Sequence, residues 1–234
     1  VGIPNPDPIR LTDLIGYEEQ RGIVLDNTEK FLRGLPANNV LLYGDRGTGK
    51  SSTVKALLHE YGARGLRLVE VPKQMLGDFP KIAAELSERP QRFIVFVDDL
   101  SFDEDEHEYK ELKAILEGSL AARPENVLIY ATSNRRHLVK ETFHDRDGEL
   151  HRQDTVQEKL SLADRFGITV TYLAPDKAVY LSIVEGLARQ HGLAIDTPTL
   201  HRRALEWEVW NNGRSGRTAR QFIDHLIGEL ALRV

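Results

Sequence analysis

The stretch Gly44-Asp45-Arg46-Gly47-Thr48-Gly49-Lys50-Ser51 decides the fold, because it fits the phosphate-binding pattern G-x-x-x-x-G-K-[ST] at every fixed position. An apolar run, residues 40–43, precedes it, and residues 52–58 have the composition of a helix. A strand, a glycine-rich loop and a helix are the context that the motif requires. Glycines let backbone N–H groups converge on one anion, and the helix adds the positive end of its dipole. The pattern predicts that Lys50 meets the β and γ phosphates and that the Ser51 hydroxyl binds Mg²⁺.

Strands and helices alternate along most of the chain. Apolar runs predict strands at residues 40–43, 66–71, 93–97, 127–132 and 168–172, with helices between them, one of which covers residues 73–88. This alternation predicts an α/β fold, in which a parallel sheet lies between two layers of helices. Beyond residue 174 the pattern predicts only helices, at 177–190, 200–210 and 219–232. We therefore predict two domains, an α/β nucleotide-binding domain over residues 1–174 and a small helical lid domain over 175–234.

Composition narrows the class of protein. The 234 residues include no cysteine, which excludes disulfides, thiolate metal sites and cysteine nucleophiles. The net charge of −5 argues against a protein whose whole surface grips nucleic acid. No apolar stretch is long enough to span a bilayer and no secretory signal is visible, so we expect a cytoplasmic protein without a membrane partner. The only methionine is Met75, so we expect the sequence to be part of a longer protein.

Polar residues follow the third and fourth predicted strands. Asp98 and Asp99 come directly after residues 93–97, and Asn134 follows the strand at 127–132. Ligands of parallel sheets bind at the carboxyl ends of the strands, where these residues fall together with the loop. We expect Asp98 to hold Mg²⁺ beside Ser51, Asp99 to orient or deprotonate an attacking water, and Asn134 to bind the γ phosphate or that water. The alternative is ordinary turn chemistry at strand ends.

The nucleotide is partly readable from motifs that the sequence lacks. A GTPase would carry an Asn-Lys-x-Asp segment at a strand end, and a transport ATPase would carry Leu-Ser-Gly-Gly. Neither segment is present in the sequence, so adenine is the better prediction. The expected cofactors are ATP and Mg²⁺.

The order of these motifs resembles an AAA+ ATPase module over nearly the whole chain. The resemblance is carried by Asp13-Leu14-Ile15-Gly16, the phosphate loop, Asp98-Asp99, Asn134, Asp164-Arg165-Phe166 and residues 213–220. More narrowly, residues 97–102, 162–167 and 213–222 resemble a bacterial AAA+ family catalogued as a domain of unknown function (domain of unknown function 815). The resemblance implies the AAA+ P-loop nucleotide hydrolase fold and an ATPase activity, but no particular substrate.

The resemblance also implies roles for single residues in binding the nucleotide. Ile15 and Gly16 would flank the adenine, and Asn134 would be the first sensor. Arg220 would be the second sensor, at the start of the last helix, with Arg217 as the alternative. The loop residues would contact the phosphates, namely Gly44, Asp45, Arg46, Gly47, Thr48, Gly49, Lys50, Ser51 and Ser52.

Assembly follows from the same resemblance. Arg165 would be an arginine finger that reaches the γ phosphate of a neighbouring subunit, so hydrolysis would depend on a homo-oligomer. The implied activity is hydrolysis of ATP to ADP and phosphate, coupled to the remodelling of an unknown protein or nucleic acid. Ring size and client stay open.

Two alternatives remain at this point. Most AAA+ ATPases place Glu after the acid that holds Mg²⁺, whereas this chain has the shorter Asp99, which leaves a slow ATP-binding switch possible. The basic segments 135–137 and 214–220 leave open a nucleotide-gated DNA-binding protein that resembles a helicase loader.

Four further features are interpreted more simply. The acidic run at 103–108 predicts a solvated first helical turn. Histidines at 107, 137, 144 and 151 match no metal-site spacing. Trp207 and Trp210 are expected to pack among the C-terminal helices. The long charged connection at 140–159 is our candidate for contact with a partner.

Overall fold

A computed structural model of the chain describes residues 2–101, 107–117, 124–134, 163–211 and 213–232. Several sequence features lie outside these residues: most of the acidic run, the basic segment 135–137, the connection 140–159 and the histidines at 137, 144 and 151.

The described residues form a five-stranded parallel sheet. Its strands are β1 (Val40–Gly44), β2 (Leu66–Glu70), β3 (Arg92–Val97), β4 (Val127–Ser133) and β5 (Ile168–Tyr172). The strand order is β2-β3-β4-β1-β5, and every pair is parallel. In this order β1 lies between β4 and β5, and β3 lies beyond β4. The loop that follows β1 therefore shares one sheet edge with the ends of β3 and β4.

Helices cover both faces of the sheet, which confirms the predicted three-layer α/β fold. They are α1 (Glu18–Leu32), α2 (Lys50–Tyr61), α3 (Phe79–Ser87) and α4 (His107–Glu117), with short 3-10 helices at Leu11–Asp13, Gly62–Arg64 and Lys73–Asp78. Successive residues of a strand point to opposite faces, so Leu41 belongs to the core under α3 and α4 and Leu42 to the core under α1 and α2.

Three helices follow the sheet: α5 (Lys177–Gln190), α6 (Thr197–Trp210) and α7 (Gly216–Ala231). They enclose a separate apolar core that includes Tyr180, Leu200 and Phe222. Ile15 and Tyr17, from the segment before α1, pack against this core. The C-terminal helices therefore contact the N-terminal segment as well as each other. A domain boundary at residue 174 stays a prediction.

Each C-terminal helix begins with a side-chain cap. Asp176, Asp196 and Ser215 accept hydrogen bonds from the backbone N–H groups of residues 179, 199 and 218. Because of the caps, α6 and α7 begin three residues earlier than predicted. The segment predicted as one helix over 73–88 is instead a 3-10 helix followed by α3. Pro80 explains this difference, because proline is favoured in the first turn of a helix and disfavoured inside one.

The two tryptophans of α6 behave differently. Trp207 packs against Phe222, with ring centroids 6.1 Å apart, and stacks on His225 at 4.8 Å. Trp210 is the last residue of the helix and is 85% exposed. The packing prediction is therefore confirmed for Trp207 and wrong for Trp210, since the end of α6 projects beyond the helical core.

Candidate nucleotide-binding site

The loop after β1 bends around a cradle of backbone groups. Gly44, Gly47 and Gly49 have φ angles of 135°, 74° and 94°, a region that side chains with a Cβ rarely adopt. A Cβ on Gly44 would also collide with the backbone of Tyr172 in β5. The glycines of the pattern are therefore required by backbone shape and by close packing against β5.

Lys50 is buried at the first position of α2 and its ammonium group contacts three oxygens. Its Nζ donates to the carbonyls of Gly44 at 3.0 Å and Asp45 at 2.6 Å, and to Oδ1 of Asn134 at 3.1 Å. Burial lowers the pKa of Lys50, while the charges of Asp45, Asp99 and Asp98 oppose that shift. The ammonium group thus lies among negatively charged and carbonyl oxygens.

The two acids at the end of β3 are each held by hydrogen bonds. Oδ1 of Asp98 accepts from the Ser51 hydroxyl at 2.6 Å, and Oδ1 of Asp99 accepts from Nδ2 of Asn134 at 2.6 Å. Asn134 therefore joins Lys50 to Asp99. Loop, β3 end and β4 end form one hydrogen-bonded network.

The oxygen atoms of this network fit a magnesium ion. A hydroxyl and a carboxylate in contact, Ser51 and Asp98, are hard oxygen donors of the kind that Mg²⁺ prefers. Among the described residues no group of three or more His, Cys, Asp or Glu side chains is placed to bind a metal by itself. That arrangement suits Mg²⁺ carried by phosphates, because this ion is usually bound by one or two carboxylates plus substrate oxygens.

A cleft of about 610 Å³ opens beside the network. It brings together most of the predicted site residues: Ile15, Gly16, Arg46, Gly47, Thr48, Gly49, Lys50, Ser51, Ser52, Asp98, Asp99, Asn134, Arg217 and Arg220. Gly44 and Asp45 do not line it and contribute their carbonyls to Lys50 instead.

One part of the cleft is apolar. Ile15 and Gly16 lie there with Ile183 and Leu187, which are one turn apart on α5. A Cβ on Gly186 would come within 2.5 Å of the Ile15 side chain, so the N-terminal segment lies directly on α5. These walls suit the flat apolar faces of a base.

The arginines at the start of α7 both face the cleft. The backbone N–H of Arg217 donates to the Gly47 carbonyl at 3.0 Å, and Nη2 of Arg220 donates to the Asp13 carbonyl at 3.2 Å. The tip of the phosphate loop therefore touches the first turn of α7. Either arginine remains a candidate for the second sensor.

Arg165 does not line the cleft of its own chain. Its guanidinium pairs with Glu117 at the end of α4, with Nε donating to Oε1 at 2.9 Å. The predicted arginine finger is thus separate from the other predicted site residues.

The peptide group between Leu173 and Ala174 is held at both ends. The Tyr17 hydroxyl donates to the Leu173 carbonyl at 2.6 Å, and the Ala174 N–H donates to Oδ2 of Asp45 at 2.6 Å. Burial, together with the nearby Asp45 charge, raises the pKa of Tyr17 to about 12, so its phenol remains a donor at neutral pH. This peptide group is where the chain passes from β5 to the C-terminal helices.

Several lining residues were not predicted, and Arg21, Thr132 and Tyr172 are among them. Thr132 lies in β4 two residues before Asn134, so the rule that strand ends bind ligands could have included it. Arg21 reaches the cleft from α1, where its guanidinium donates to the Gly16 carbonyl and pairs with Glu18. No sequence pattern signals that contact.

Comparison with protein families gives one match over almost the whole chain. The family described as "Protein of unknown function (DUF815)" matches residues 1–230.

Curated relatives match shorter segments. The proteasome-activating nucleotidase of Methanosarcina mazei is 36% identical over 90 residues, which are 36% of this chain and 21% of that protein. A 26S proteasome regulatory subunit 4 homolog from Dictyostelium discoideum is 39% identical over 70 residues, 28% of this chain and 16% of that protein. The matched segments thus span about a fifth or less of the length of these relatives.

Among solved structures, the chain is similar to the Holliday junction branch migration motor RuvB of Thermotoga maritima. The TM-score is 0.53 at 17% identity, over 94% of this chain and 72% of that one. A variant of the same protein gives a TM-score of 0.54 at 16% identity. At this identity the similarity establishes the fold alone. No helix in the described part of the chain has the length and apolar character needed to cross a membrane.

Proposed function

The chain belongs to the family described as Protein of unknown function (DUF815), within the AAA+ superfamily, and from this premise we propose that it binds ATP with Mg²⁺ and hydrolyses it to ADP and phosphate. One observation carries the proposal. Lys50, Asn134 and Asp99 form a continuous hydrogen-bonded chain, next to the contact between Ser51 and Asp98. These residues come from three different segments, which a structural turn alone would not require.

The residues divide the chemistry between them. Backbone N–H groups of the loop and Lys50 bind the phosphates, and Ser51 and Asp98 would hold Mg²⁺, which when bound supplies positive charge against the phosphate oxygens. Asp99 orients a water molecule and takes its proton as the water oxygen bonds to the γ phosphorus. The bond from that phosphorus to the bridging oxygen breaks, and ADP leaves with the electron pair. Asn134 binds both the Asp99 carboxylate and the Lys50 ammonium group and so fixes their positions relative to each other.

The base is proposed to be adenine. Ile15, Gly16 and Ile183 line the same apolar part of the cleft and offer contact to a flat ring. Arg220 and Arg217 would then respond to the presence of the phosphates, because both line the cleft and lie near the start of α7.

Hydrolysis is proposed to need a homo-oligomer. Arg165 is partly exposed, lies outside its own cleft and is held by Glu117. That position supports an arginine that stabilises charge on the nucleotide of a neighbouring copy.

The client is proposed to be a macromolecule that the ATPase remodels. The name of the proteasome-activating nucleotidase refers to a protein, and the name of the branch migration motor RuvB refers to a DNA junction. The two similar proteins therefore do not favour one class of client. A DNA-loader role receives less support. Arg217 and Arg220 face the cleft, and Arg214 is paired with Glu208 at 2.9 Å, so the basic segment 214–220 does not form an outward nucleic-acid surface.

The test is nucleotide binding and turnover by purified protein. We expect Mg²⁺-dependent binding of ATP in preference to GTP, together with release of phosphate. Lys50→Ala should abolish both, because the ammonium group meets the phosphates. Lys55→Ala, a change on the same helix at a side chain that lies 4.0 Å from Asp7, is the matched control and should leave both unchanged. A folded wild-type protein that ignores ATP at millimolar concentration would overturn the proposal.

A slow switch is distinguished by the rate. Asp99→Asn keeps the size of the side chain but removes the base. An equal turnover in wild type and Asp99→Asn would indicate a nucleotide-binding scaffold rather than an ATPase.

A further inference from the structure

Thr132 places one hydroxyl between the two acids of the site. Its Oγ1 donates to Oδ1 of Asp98 at 2.5 Å and accepts from the backbone N–H of Asp99 at 3.0 Å. A threonine hydroxyl has a single proton, so the bond to Asp98 fixes its direction and leaves its lone pairs toward Asp99. The residue is only 2% exposed, in the penultimate position of β4. The hydroxyl is therefore buried and hydrogen-bonded to both acids.

The backbone of Asp99 is unusual. Its φ of 52° is left-handed, and Tyr17 is the other described non-glycine residue with positive φ. A left-handed backbone is unfavourable for most residues and is tolerated best by Asn and Asp. Such a conformation persists only where its surroundings enforce it.

Thr132 supplies much of that enforcement. While its side chain accepts the N–H of Asp99, its carbonyl accepts the N–H of Leu100 at 2.7 Å. Both amides of the turn after β3 therefore donate to one residue of β4, and the Asp99 amide is shared with Oδ1 of Asp98 at 3.1 Å. The Asp99 carboxylate is held separately, by Asn134.

We propose that Thr132 is a positioning residue for hydrolysis, and that the left-handed turn it enforces is the reason this chain uses Asp at position 99. This inference rests on the proposed ATPase function. Thr132 touches neither phosphate nor water in the proposal. It acts by orienting Asp98 and by fixing the backbone from which Asp99 projects. A glutamate at position 99 would bring a longer side chain to a backbone conformation that it adopts less readily.

The first experiment compares Thr132→Val with Thr132→Ser. Valine has the same shape but lacks the hydroxyl, whereas serine keeps it. We expect Thr132→Val to lower kcat roughly 10- to 100-fold, the size typical of residues that orient ligands of a metal site, with KM for ATP changed by less than about threefold. The Mg²⁺ concentration for half-maximal rate should rise, because Asp98 loses a donor. Thr132→Ser should recover most of the rate and the Mg²⁺ response.

Thr28→Val is the matched control for loss of a buried hydroxyl. Thr28 donates to the Val24 carbonyl at 2.8 Å and lies 2.9 Å from the Tyr130 hydroxyl, away from the cleft. Its loss should lower thermal stability about as much as Thr132→Val does, without changing kcat. Equal loss of kcat in the two variants would mean that Thr132 is merely structural, and would overturn the inference.

A double-mutant cycle tests whether Thr132 acts through Asp99. In an Asp99→Asn background, Thr132→Val should lower the residual rate far less than in wild type, because the two changes disable one device. Full additivity would contradict this route. Asp99→Glu should be slower than wild type, and a faster Asp99→Glu enzyme would contradict the role assigned to the turn.

The outcomes separate the two proposals. A wild-type protein that binds no ATP and releases no phosphate overturns the proposed function, and this inference with it. An active wild type with an unchanged kcat in Thr132→Val overturns this inference alone.

Discussion

Gly47 sits where the phosphate loop touches the first turn of α7. It has a φ of 74°, and a Cβ there would lie 2.9 Å from the Ser215 hydroxyl and 3.1 Å from Cβ of Arg217. Gly65 has a φ of 94°, and within the described residues no atom lies within 4 Å of an added Cβ, so it shares the backbone conformation without the contact. Alanine substitutions at these two glycines therefore distinguish the effect of a strained backbone from the effect of crowding by neighbouring atoms.

We expect Gly47→Ala to weaken ATP binding at least tenfold, which corresponds to about 1.4 kcal/mol. The added methyl group must push the loop away from α7 as well as adopt a left-handed backbone. Both variants should lose roughly 1–2 kcal/mol in the free energy of unfolding, because each puts a Cβ on a left-handed backbone, but Gly65→Ala should keep the ATP affinity of the wild type. Calorimetric titration with ATP and thermal unfolding of both variants provide the measurement. Equal ATP affinities in the two variants would show that the contact between Gly47 and the first turn of α7 does not affect ATP binding.

Some residues of the candidate site could be predicted from the sequence, and others could not. Gly44, Gly49 and Lys50 were predictable because a tight anion-binding loop makes demands on consecutive residues. Thr132 was not predicted, because its importance arises from contacts with Asp98 and Asp99, which lie 34 and 33 positions away in the chain. Arg21 was not predicted, because no sequence pattern signals its contact with the Gly16 carbonyl. Threonine in a strand has ordinary reasons to be there.

At the scale of elements, α5 forms one wall of the proposed base site. Gly186 lies in the middle of that helix, where Ile15 packs so closely that an added methyl group would displace it. Gly228 lies in α7, where an added Cβ would meet no atom of the described chain within 4 Å. Alanine is favoured over glycine inside a helix by up to about 1 kcal/mol, so both positions should gain helix stability on substitution.

We therefore expect Gly186→Ala to lower ATP affinity several-fold, because Ile15 must turn into the space proposed for the adenine. Gly228→Ala should raise stability by up to about 1 kcal/mol and leave ATP affinity unchanged. Binding of a fluorescent ATP analogue and chemical unfolding are sufficient to compare them. If Gly186→Ala binds ATP as wild type does, the assignment of Ile15 to the base site is wrong.

Helix α1 is tied to the turn before β2 by an exposed cluster. Glu29 accepts from Arg64 at 2.6 and 2.8 Å and from Arg33 at 2.8 Å. These hydrogen bonds, chiefly those from Arg64, lower the pKa of Glu29 to about 2. Because the pKa is below its unfolded value, the contribution to stability is full above the ordinary pKa of 4.5 and is lost as pH falls towards 2.

Glu29→Gln should accordingly destabilise the protein at neutral pH and make progressively less difference as the pH falls through this window. The effect should be modest and sensitive to salt, because the cluster is exposed. Urea unfolding at several pH values measures it, with Glu19→Gln on the same helix as the control for loss of charge. A destabilisation that stays constant down to about pH 2 would contradict the assignment.

Elements were predicted better than their ends. All five strands lie within one residue of the predicted ranges. The inner strands β1, β3 and β4 are covered on both faces and are therefore mostly apolar, which makes them easy to recognise. Helices α6 and α7 begin three residues earlier than predicted, because Asp196 and Ser215 cap their first turns and the prediction did not include these caps. The strand order was not predicted at all, since no local pattern encodes it.

At the scale of the whole molecule, two predicted functional groups of the chain lie apart. Lys50 belongs to the cleft, while Arg165 is paired with Glu117 outside it. If Arg165 serves a neighbouring copy, a single active interface can be assembled from two inactive variants.

Mixing Lys50→Ala with Arg165→Ala should restore ATP hydrolysis well above the sum of the two separate proteins. The first variant supplies an intact arginine, and the second supplies an intact cleft. Phosphate release over a range of protein concentrations measures this, and wild-type activity per molecule should rise with concentration. A mixture no more active than its components, in variants that still assemble, would show that Arg165 does not act between subunits.

The doubly hydrogen-bonded peptide group between Leu173 and Ala174 has a mechanical consequence. A peptide unit is planar, so turning it swings its carbonyl and its amide together, and one rotation must break the bonds to Tyr17 and Asp45 at the same moment. Asp45 belongs to the phosphate loop, so the loop and the start of the C-terminal helices share a hydrogen bond. A change in the position of that loop is therefore expected to be transmitted to the segment that leads into these helices.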